Sequence, residues 1–165
     1  MIFVTVGTQL PFDRLISAVD AWAGKTPGAE VFAQVGPSQL EPRHIAYRNF
    51  IAPAECRRLM LDADAIVAHA GMGTILTALE MGKPLLIVPR SASLGEHRNE
   101  HQLATARRFA ELGRVPVVFD DRELGDALDD LGRVAAQEPI SPFASDRLIG
   151  ALREFIGGGS LPSAA

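Results

Sequence analysis

Short runs of apolar residues alternate along the chain with longer segments in which apolar residues recur at helical spacing. The short runs predict strands at residues 2–6, 30–35, 65–69, 85–88 and 115–119, and an extended segment at residues 45–51. The longer segments predict helices after Pro11 and at residues 54–63, 74–81, 100–112, 121–136 (with Asp121 as N-cap) and 143–156. Strands alternating with helices predict an α/β fold, a single Rossmann-like doubly wound parallel sheet with its ligand at the carboxyl ends of the strands.

Chain length and composition indicate one globular domain. The 165 residues, 47% of them hydrophobic, are enough to bury one core, which we expect over residues 1–156. The final GGGSLPSAA predicts a flexible tail at residues 157–165. A net charge of −4 argues against nucleic-acid binding. The apolar runs are too short to span a bilayer, and Met1 leads directly into a strand, so we expect a cytoplasmic protein.

Cys56 is the only cysteine, which excludes an internal disulfide and a thiolate zinc cluster, and we expect no metal site. The neighbouring Arg57 and Arg58 would favour its thiolate, but no His or Asn partner follows at a known spacing. A structural role is therefore favoured.

The most informative stretch, residues 65–89, has the layout of a βαβ unit with Gly71 and Gly73 at its strand-to-helix turn. A bare backbone at that turn would let a ligand approach the first free N–H groups of the helix, which suit a phosphate. The alternative is that both glycines only tighten the turn. Gly7 and Thr8, after the first strand, form a second candidate phosphate-facing turn.

Four segments together resemble a known family: MIFVTVGTQLPFDRL, NFI, HAGMGTILTALEMGKPLLIVPR and EHRNEHQLATA, which occur in the family's order. The family is the donor-binding subunit of two-component, UDP-sugar-dependent glycosyltransferases, in the family 28 C-terminal group. It includes bacterial exopolysaccharide and capsule pairs and the eukaryotic pair that acts on the dolichol-linked oligosaccharide. The resemblance implies that the chain corresponds to the C-terminal half of a GT-B glycosyltransferase.

The resemblance also implies a missing half, a membrane-anchored subunit that binds the lipid-linked acceptor. The chain would then lie at the cytoplasmic face of the membrane, need no cofactor beyond its UDP-sugar substrate, and transfer a hexose or hexuronic acid with inversion. The catalytic base would belong to the partner, and in isolation the chain could form a homodimer over its exposed partner surface.

The family's motifs carry over to particular positions. By resemblance, Phe50 and Ile51 lie against the uracil, Thr8 and residues 69–74 hold the diphosphate, and His101 and Gln102 reach the sugar hydroxyls. The donor-binding candidates are Gly7, Thr8, Phe50, Ile51, His69, Ala70, Gly71, Met72, Gly73, Thr74, Thr77, Arg90, Glu96, Asn99, His101 and Gln102. Alternatives remain open: Phe50 and Ile51 as strand core, His69 as a partner of a neighbouring loop, and Gln102 as a solvated residue.

Two features of the sequence depart from the shared motifs. Thr77 stands where many relatives carry a glutamate that binds the ribose, which favours the exopolysaccharide branch. Arg90, His97, Arg98 and His101 gather near the sugar loop of an acidic chain, which suggests an anionic sugar such as glucuronate. Alternatively, Arg90 contacts the diphosphate and the other three are solvated or pair with carboxylates.

Two other classes of protein stay open. A dinucleotide-binding oxidoreductase domain is conceivable for any glycine-rich βα turn, although Gly7 to Leu10 lack the GxGxxG pattern. A non-catalytic nucleotide-sugar sensor would keep the same site without transferring the sugar.

Overall fold

The computed structural model describes residues 1–134 and 138–157. The strands are β1 Ile2–Thr5, β2 Val31–Gln34, β3 Ala46–Arg48, β4 Ala65–His69 and β5 Leu85–Val88. The helices are α1 Asp13–Ala23, α2 Pro53–Asp62, α3 Met72–Glu80, α4 His101–Glu111, α5 Leu124–Asp130 and α6 Asp146–Ile156. Short 3-10 turns lie at Ala92–Leu94, Asp121–Glu123 and Leu131–Arg133.

Within the described residues the strands form one parallel five-stranded sheet in the order β3-β2-β1-β4-β5. β1 is central, with Thr5 opposite Gln34 on one side and opposite Ala68 on the other. Strand order therefore reverses beside β1, between β1 and β4. In open α/β sheets such a switch point opens a crevice beyond the carboxyl ends of the strands, and this is where ligands bind.

Helices cover both faces of the sheet, which confirms the predicted doubly wound α/β fold. One apolar cluster joins alternate strand residues such as Val4 and Val67 to α1 and α5, through Ile16 and Leu128. The opposite cluster joins residues such as Phe3 to α2, α3 and α4. The alternation arises because successive side chains of a strand point to opposite faces.

Several predicted elements differ from the structure. Residues 115–119 form only an isolated bridge to β5, because Pro116 has no N–H to donate to a ladder. The predicted helix at 121–136 is interrupted: Asp120, not Asp121, accepts the capping N–H of Arg122, α5 ends at Asp130, and residues 135–136 lie outside the described residues. The extended segment at 45–51 is a strand only over β3.

The last helix is shorter than predicted and stands apart from the core. The helix was predicted to begin at Phe143. It begins at Asp146 instead, because the Ser145 hydroxyl accepts the Leu148 N–H and so caps the helix at that point. None of its residues is buried, and Leu148, Leu152 and Phe155 are about half exposed. The predicted tail falls almost wholly outside the described residues, since only Gly157 of residues 157–165 is described.

Candidate functional site

A cleft of about 560 Å³ lies at the carboxyl edge of the sheet. Each strand or the loop after it contributes to its wall. The lining residues are Thr5, Val6, Gly7, Thr8, Gln9, Leu10, Gln34, Ile51, Pro53, Cys56, His69, Ala70, Gly71, Met72, Gly73, Thr74, Arg90, His97, His101, Gln102 and Thr105. The predicted turns after β1 and β4 are thus brought together in one cavity.

The N-terminus of α3 opens onto this cleft. Gly71 is the N-cap, and neither a side-chain cap nor an acidic residue occupies the first turn. The N–H groups of the first turn have no partner within their own helix, so those of Met72, Gly73 and Thr74 remain available to a ligand. A Cβ built on Gly73 would meet no atom within 4 Å, so the approach to this backbone is open. This geometry suits an anion.

His69 ends β4, and its imidazole lies between the two glycine turns. A Cβ on Gly7 would stand 2.8 Å from His69 Cε1, and a Cβ on Gly71 would stand 2.2 Å from Nε2. Gly7 also has φ +75°, a conformation that side chains disfavour. Both glycines are therefore required by the fold as well as being open to a ligand.

The His69 ring is neutral at physiological pH. Burial, reinforced by the positive charge of Arg90, lowers the pKa of His69 to about 4. The hydrogen bond to the Thr5 carbonyl opposes this shift, and His97 adds to it. Nδ1 lies 3.4 Å from the Thr5 carbonyl O, which can only accept, so Nδ1 carries the proton. His69 thus bonds a neighbouring loop while Nε2 faces Gly71.

Arg90 is buried, and its guanidinium holds the loop after β1. It donates to the carbonyl O atoms of Val6, Leu10 and Pro11 at 2.6 Å each, and to that of Glu96 at 3.1 Å. Burial lowers the pKa of Arg90 to about 10, which leaves it charged at neutral pH. Because Nη1 and Nη2 both donate to backbone carbonyls, Arg90 holds this loop in place while it also lines the cleft. Its contact with the diphosphate or with an anionic sugar stays a prediction.

Glu96 also has a structural role and does not line the cleft. Its carboxylate accepts from Arg14 Nε at 2.8 Å and Nη2 at 3.0 Å, and from the Ser91 N–H at 2.9 Å. The bidentate ion pair joins α1 to the loop between β5 and α4. It also raises the pKa of Arg14.

The start of α4 supplies the other end of the cleft. Gln102 is buried, with its Oε1 accepting the Arg90 backbone N–H at 3.2 Å, which excludes a solvated Gln102. His97 and His101 line the cleft. Asn99 does not, since its side-chain oxygen accepts the His101 N–H, and Arg98 is exposed outside the lining.

Three other candidates lie at different depths. Ile51 lines the cleft and is half-buried, whereas Phe50 is 56% exposed and outside the lining, so it is not strand core. Thr8 is exposed on the rim. Thr77 lies one turn into α3, outside the lining, where its hydroxyl donates to the Gly73 carbonyl O at 2.8 Å. A contact between Thr77 and a ribose has no support in this arrangement.

Sequence reasoning missed several lining residues, among them two buried polar ones: Thr5, 3% exposed at the end of β1, and Gln34, 4% exposed at the end of β2. The signal was a glutamine at the carboxyl end of an otherwise apolar run. Cys56 also lines the cleft, and burial raises the pKa of its thiol, which opposes the effect expected from Arg57 and Arg58.

No helix in residues 1–134 and 138–157 has the length and apolar character needed to cross a membrane. Nor do the same ranges bring together three His, Cys, Asp or Glu side chains that could hold a metal ion.

Known proteins that are similar to this chain indicate the family to which it belongs. The profile described as "Glycosyltransferase family 28 C-terminal domain" matches residues 1–141. The UDP-N-acetylglucosamine transferase subunit ALG13 of Homo sapiens is 30% identical over 124 residues, which cover 69% of this chain and 10% of the human protein. The chain therefore spans about a tenth of the length of that relative.

Two solved structures share the fold. MurG from Acinetobacter baumannii superposes with a TM-score of 0.60 at 18% identity, over 81% of this chain and 42% of MurG. The NMR solution structure of ALG13 superposes with a TM-score of 0.57 at 18% identity, over 92% of this chain and 93% of that one. The fold is that of one Rossmann-like half of a GT-B glycosyltransferase, as expected from the sequence. Because the family profile matches most of the chain, the chain belongs to the family of glycosyltransferase family 28 C-terminal domains.

Proposed function

We propose that the chain is the donor-binding subunit of a UDP-sugar-dependent glycosyltransferase. The observation that carries the proposal is the uncapped N-terminus of α3, whose free N–H groups at Met72 to Thr74 open onto a cleft at the switch point of the sheet. A diphosphate is the ligand that such a terminus suits best. Membership of a glycosyltransferase family supports the transfer reaction.

In this proposal the donor lies across the strand ends. The uracil lies beside Ile51, the diphosphate at the turns after β1 and β4, and the sugar beside His101 and Gln102. The strand order β3-β2-β1-β4-β5 supports this direction, since Ile51 follows β3 and Gln102 lies against the end of β5.

The proposed reaction is an inverting displacement. The acceptor hydroxyl attacks the anomeric carbon, its proton passes to a base, and the bond from that carbon to the diphosphate oxygen breaks. Negative charge then grows on UDP, where the α3 N–H groups would stabilise it without rearranging. We assign the base to a separate acceptor-binding subunit, and no cofactor beyond the UDP-sugar substrate enters the proposal.

For the transferred sugar we propose a neutral hexose. Four basic residues suggested a hexuronic acid; of these, Arg90 has its guanidinium bonded to four backbone carbonyls, and Arg98 is exposed outside the cleft lining. His97 and His101 line the cleft near the sugar end together with Arg90.

We further infer that a membrane-anchored partner binds the lipid-linked acceptor, in the biosynthesis of an exopolysaccharide or capsule, at the cytoplasmic face of the membrane. The word "subunit" in the name of the human relative supports a partner. The exposed apolar residues of α6 offer a surface for it, because Leu148, Leu152 and Phe155 are about half exposed on a helix that has no buried residue.

Ligand-observed NMR tests the proposed donor. The chain is titrated with UDP, four UDP-sugars (glucose, glucuronate, galactose and N-acetylglucosamine) and NAD, and then Thr74→Ala and Gln102→Ala are compared with Gln39→Ala, an exposed glutamine outside the cleft. We expect uridine nucleotides to bind and both cleft substitutions to weaken them, with Gln39→Ala unchanged. Binding of NAD alone would favour the oxidoreductase alternative. The sensor alternative gains support if donor and partner both bind without transfer.

A further inference from the structure

Gln34 is a buried polar residue on the floor of the cleft to which the proposed donor site assigns no role. It ends β2, is only 4% exposed, and still lines the cavity. A buried amide normally has its hydrogen-bonding groups satisfied, because an unpaired one costs free energy. The partners of its two polar atoms therefore show what the residue does.

The amide oxygen is held by the neighbouring strand. Thr5 Oγ1 lies 2.6 Å from Gln34 Oε1, a length typical of an O–H···O bond and short for an N–H···O bond. The same hydroxyl accepts the Gly7 N–H at 3.3 Å, so its own proton is free to be donated to Gln34. These contacts turn the carbonyl end of the amide toward Thr5 and the NH₂ end away from it.

The amide nitrogen has no hydrogen-bond partner among residues 1–134 and 138–157. In the same ranges, no fully enclosed side-chain N or O lacks a partner. The Gln34 Nε2 atom must therefore reach the surface, and the surface that Gln34 reaches is the cleft. The cleft floor thus presents two N–H donors that have no partner in the described part of the chain.

Gln102 repeats this arrangement at the other end of the cleft. Its Oε1 is held by the Arg90 backbone N–H, and Gln102 is 8% exposed and lines the cavity. In both residues a hydrogen bond from the protein holds the amide oxygen, and this bond orients the NH₂ group. A donor held in this way is preorganised and loses little side-chain entropy when a ligand binds.

The topology decides which part of the ligand Gln34 would meet. β2 lies between β3, which leads to Ile51, and β1, which leads to Gly7 and Thr8. The side chains of Thr5, Gln34 and Ala68 share one face of the sheet through their register, the face that α2 and α3 cover. Gln34 is therefore placed between the positions proposed for the uracil and for the diphosphate. It is separated from Gln102 by β1 and β4.

We propose that Gln34 is a ligand-binding residue whose amide NH₂ donates a hydrogen bond to an oxygen of the nucleoside diphosphate portion of the donor, not to the transferred sugar. This assignment rests on the proposed donor function of the cleft. It gives the first half of the chain, β1 and β2, a direct part in recognising the nucleotide.

Gln34→Glu is the sharpest test, because it keeps the shape and the acceptor for the Thr5 hydroxyl while replacing the NH₂ by an oxygen. Gln39→Glu is the matched control, since it adds the same charge at an exposed position outside the cleft. Affinities for UDP and UDP-glucose are measured by calorimetry. We expect Gln34→Glu to weaken both ligands by about tenfold or more and by the same factor, with Gln39→Glu unchanged.

A measurement on the unsubstituted protein covers the case in which Gln34→Glu does not fold. The side-chain NH₂ signals of Gln34, assigned through its own backbone, are followed in ¹⁵N spectra as UDP is added. We expect them to shift with the same saturation as the rest of the site, while the Gln39 NH₂ signals stay in place.

The outcomes separate the two proposals. Unchanged UDP affinity in Gln34→Glu, a loss confined to UDP-glucose, or an unmoved NH₂ signal at UDP saturation would overturn the role of Gln34 while leaving the donor site intact. A chain that binds no uridine nucleotide at all would overturn the proposed function, and the role of Gln34 with it.

Discussion

The imidazole of His69 occupies the space in which a side chain at Gly71 would stand, because a Cβ there would lie 2.2 Å from His69 Nε2. With His69 in this position, the turn after β4 therefore has no room for a side chain at Gly71. A Cβ at Gly73, two residues further along, would meet nothing within 4 Å, so the two glycines of one motif are required for different reasons.

Alanine substitutions at these glycines should therefore have opposite effects. Gly71→Ala displaces His69 from Thr5, and we expect the free energy of unfolding to fall by about 1–3 kcal/mol. Gly73→Ala lies in open space on a helix, where we expect unfolding to cost about 0.5–1 kcal/mol more. Under the proposed function, Gly73→Ala nevertheless weakens UDP about tenfold, because the methyl group lies where the diphosphate approaches. Urea unfolding and calorimetry measure the two quantities, and equal stabilities of the two variants would contradict this account.

The low pKa of His69 predicts a pH-dependent stability. The folded chain holds this ring neutral down to about pH 4, whereas the unfolded chain protonates it near pH 6.5. The unfolded state thus binds more protons between these values, so the contribution is fully present above pH 6.5 and is lost as the pH falls toward 4, by at most about 3 kcal/mol. His69→Asn keeps an N–H donor for Thr5 but cannot titrate, and we expect a shallower slope in urea unfolding over this range. Parallel slopes for the two proteins would refute the assignment.

Arg90 is predicted to stabilise the fold more than any exposed arginine near it. Arg90→Met leaves four backbone carbonyls without their donor, and we expect the free energy of unfolding to fall by about 3 kcal/mol. Arg90→Lys restores the charge but cannot reach all four oxygens, so its stability should be intermediate. Arg98→Met, at an exposed site in the same loop, is the control and should change stability by less than about 0.5 kcal/mol. An Arg90→Met protein as stable as Arg98→Met would rule out this role.

The exposed apolar face of α6 predicts that the chain associates with itself, and that polar substitutions on this face do not lower its stability. Because Leu148 and Leu152 are about half exposed on a helix with no buried residue, the double substitution Leu148→Gln with Leu152→Gln should leave the unfolding midpoint nearly unchanged. Sedimentation equilibrium should show an average mass that rises with concentration for the unsubstituted chain and a monomer for the double variant. Arg147→Gln with Arg153→Gln changes exposed polar positions of the same helix and should still associate. A monomeric unsubstituted chain would exclude the predicted homodimer.

Local patterns in the sequence were sufficient to predict the sheet and the βαβ unit at residues 65–89. Apolar runs bounded by glycine gave β1, β2, β4 and β5, and the turn at Gly71 did open onto a cleft. Errors arose where a single residue changes the backbone. Pro116 limits residues 115–119 to a bridge, and Gly132, a poor helix former, lies in the 3-10 turn that follows the end of α5 within the helix predicted at 121–136.

Within the site, the sequence predicted residues that lie close together along the chain better than those brought together by folding. A basic residue at a strand end is typical of an anion-binding site. Nothing in the local sequence shows that four backbone carbonyls converge on Arg90. Likewise the partner of Gln34 is Thr5 on another strand, and only the parallel register places them side by side. Which end of the amide faces the ligand is decided by that contact.

The most direct test of the central claim is to map UDP onto the backbone amides of the ¹⁵N-labelled chain. The account predicts the largest shifts at the turns after β1 and β4, at Gly7, Thr8 and residues 72–74, with smaller shifts near Ile51 and none along α6. No shifts at millimolar UDP, or shifts confined to residues outside the cleft, would contradict the claim that this cleft binds the nucleotide of a sugar donor.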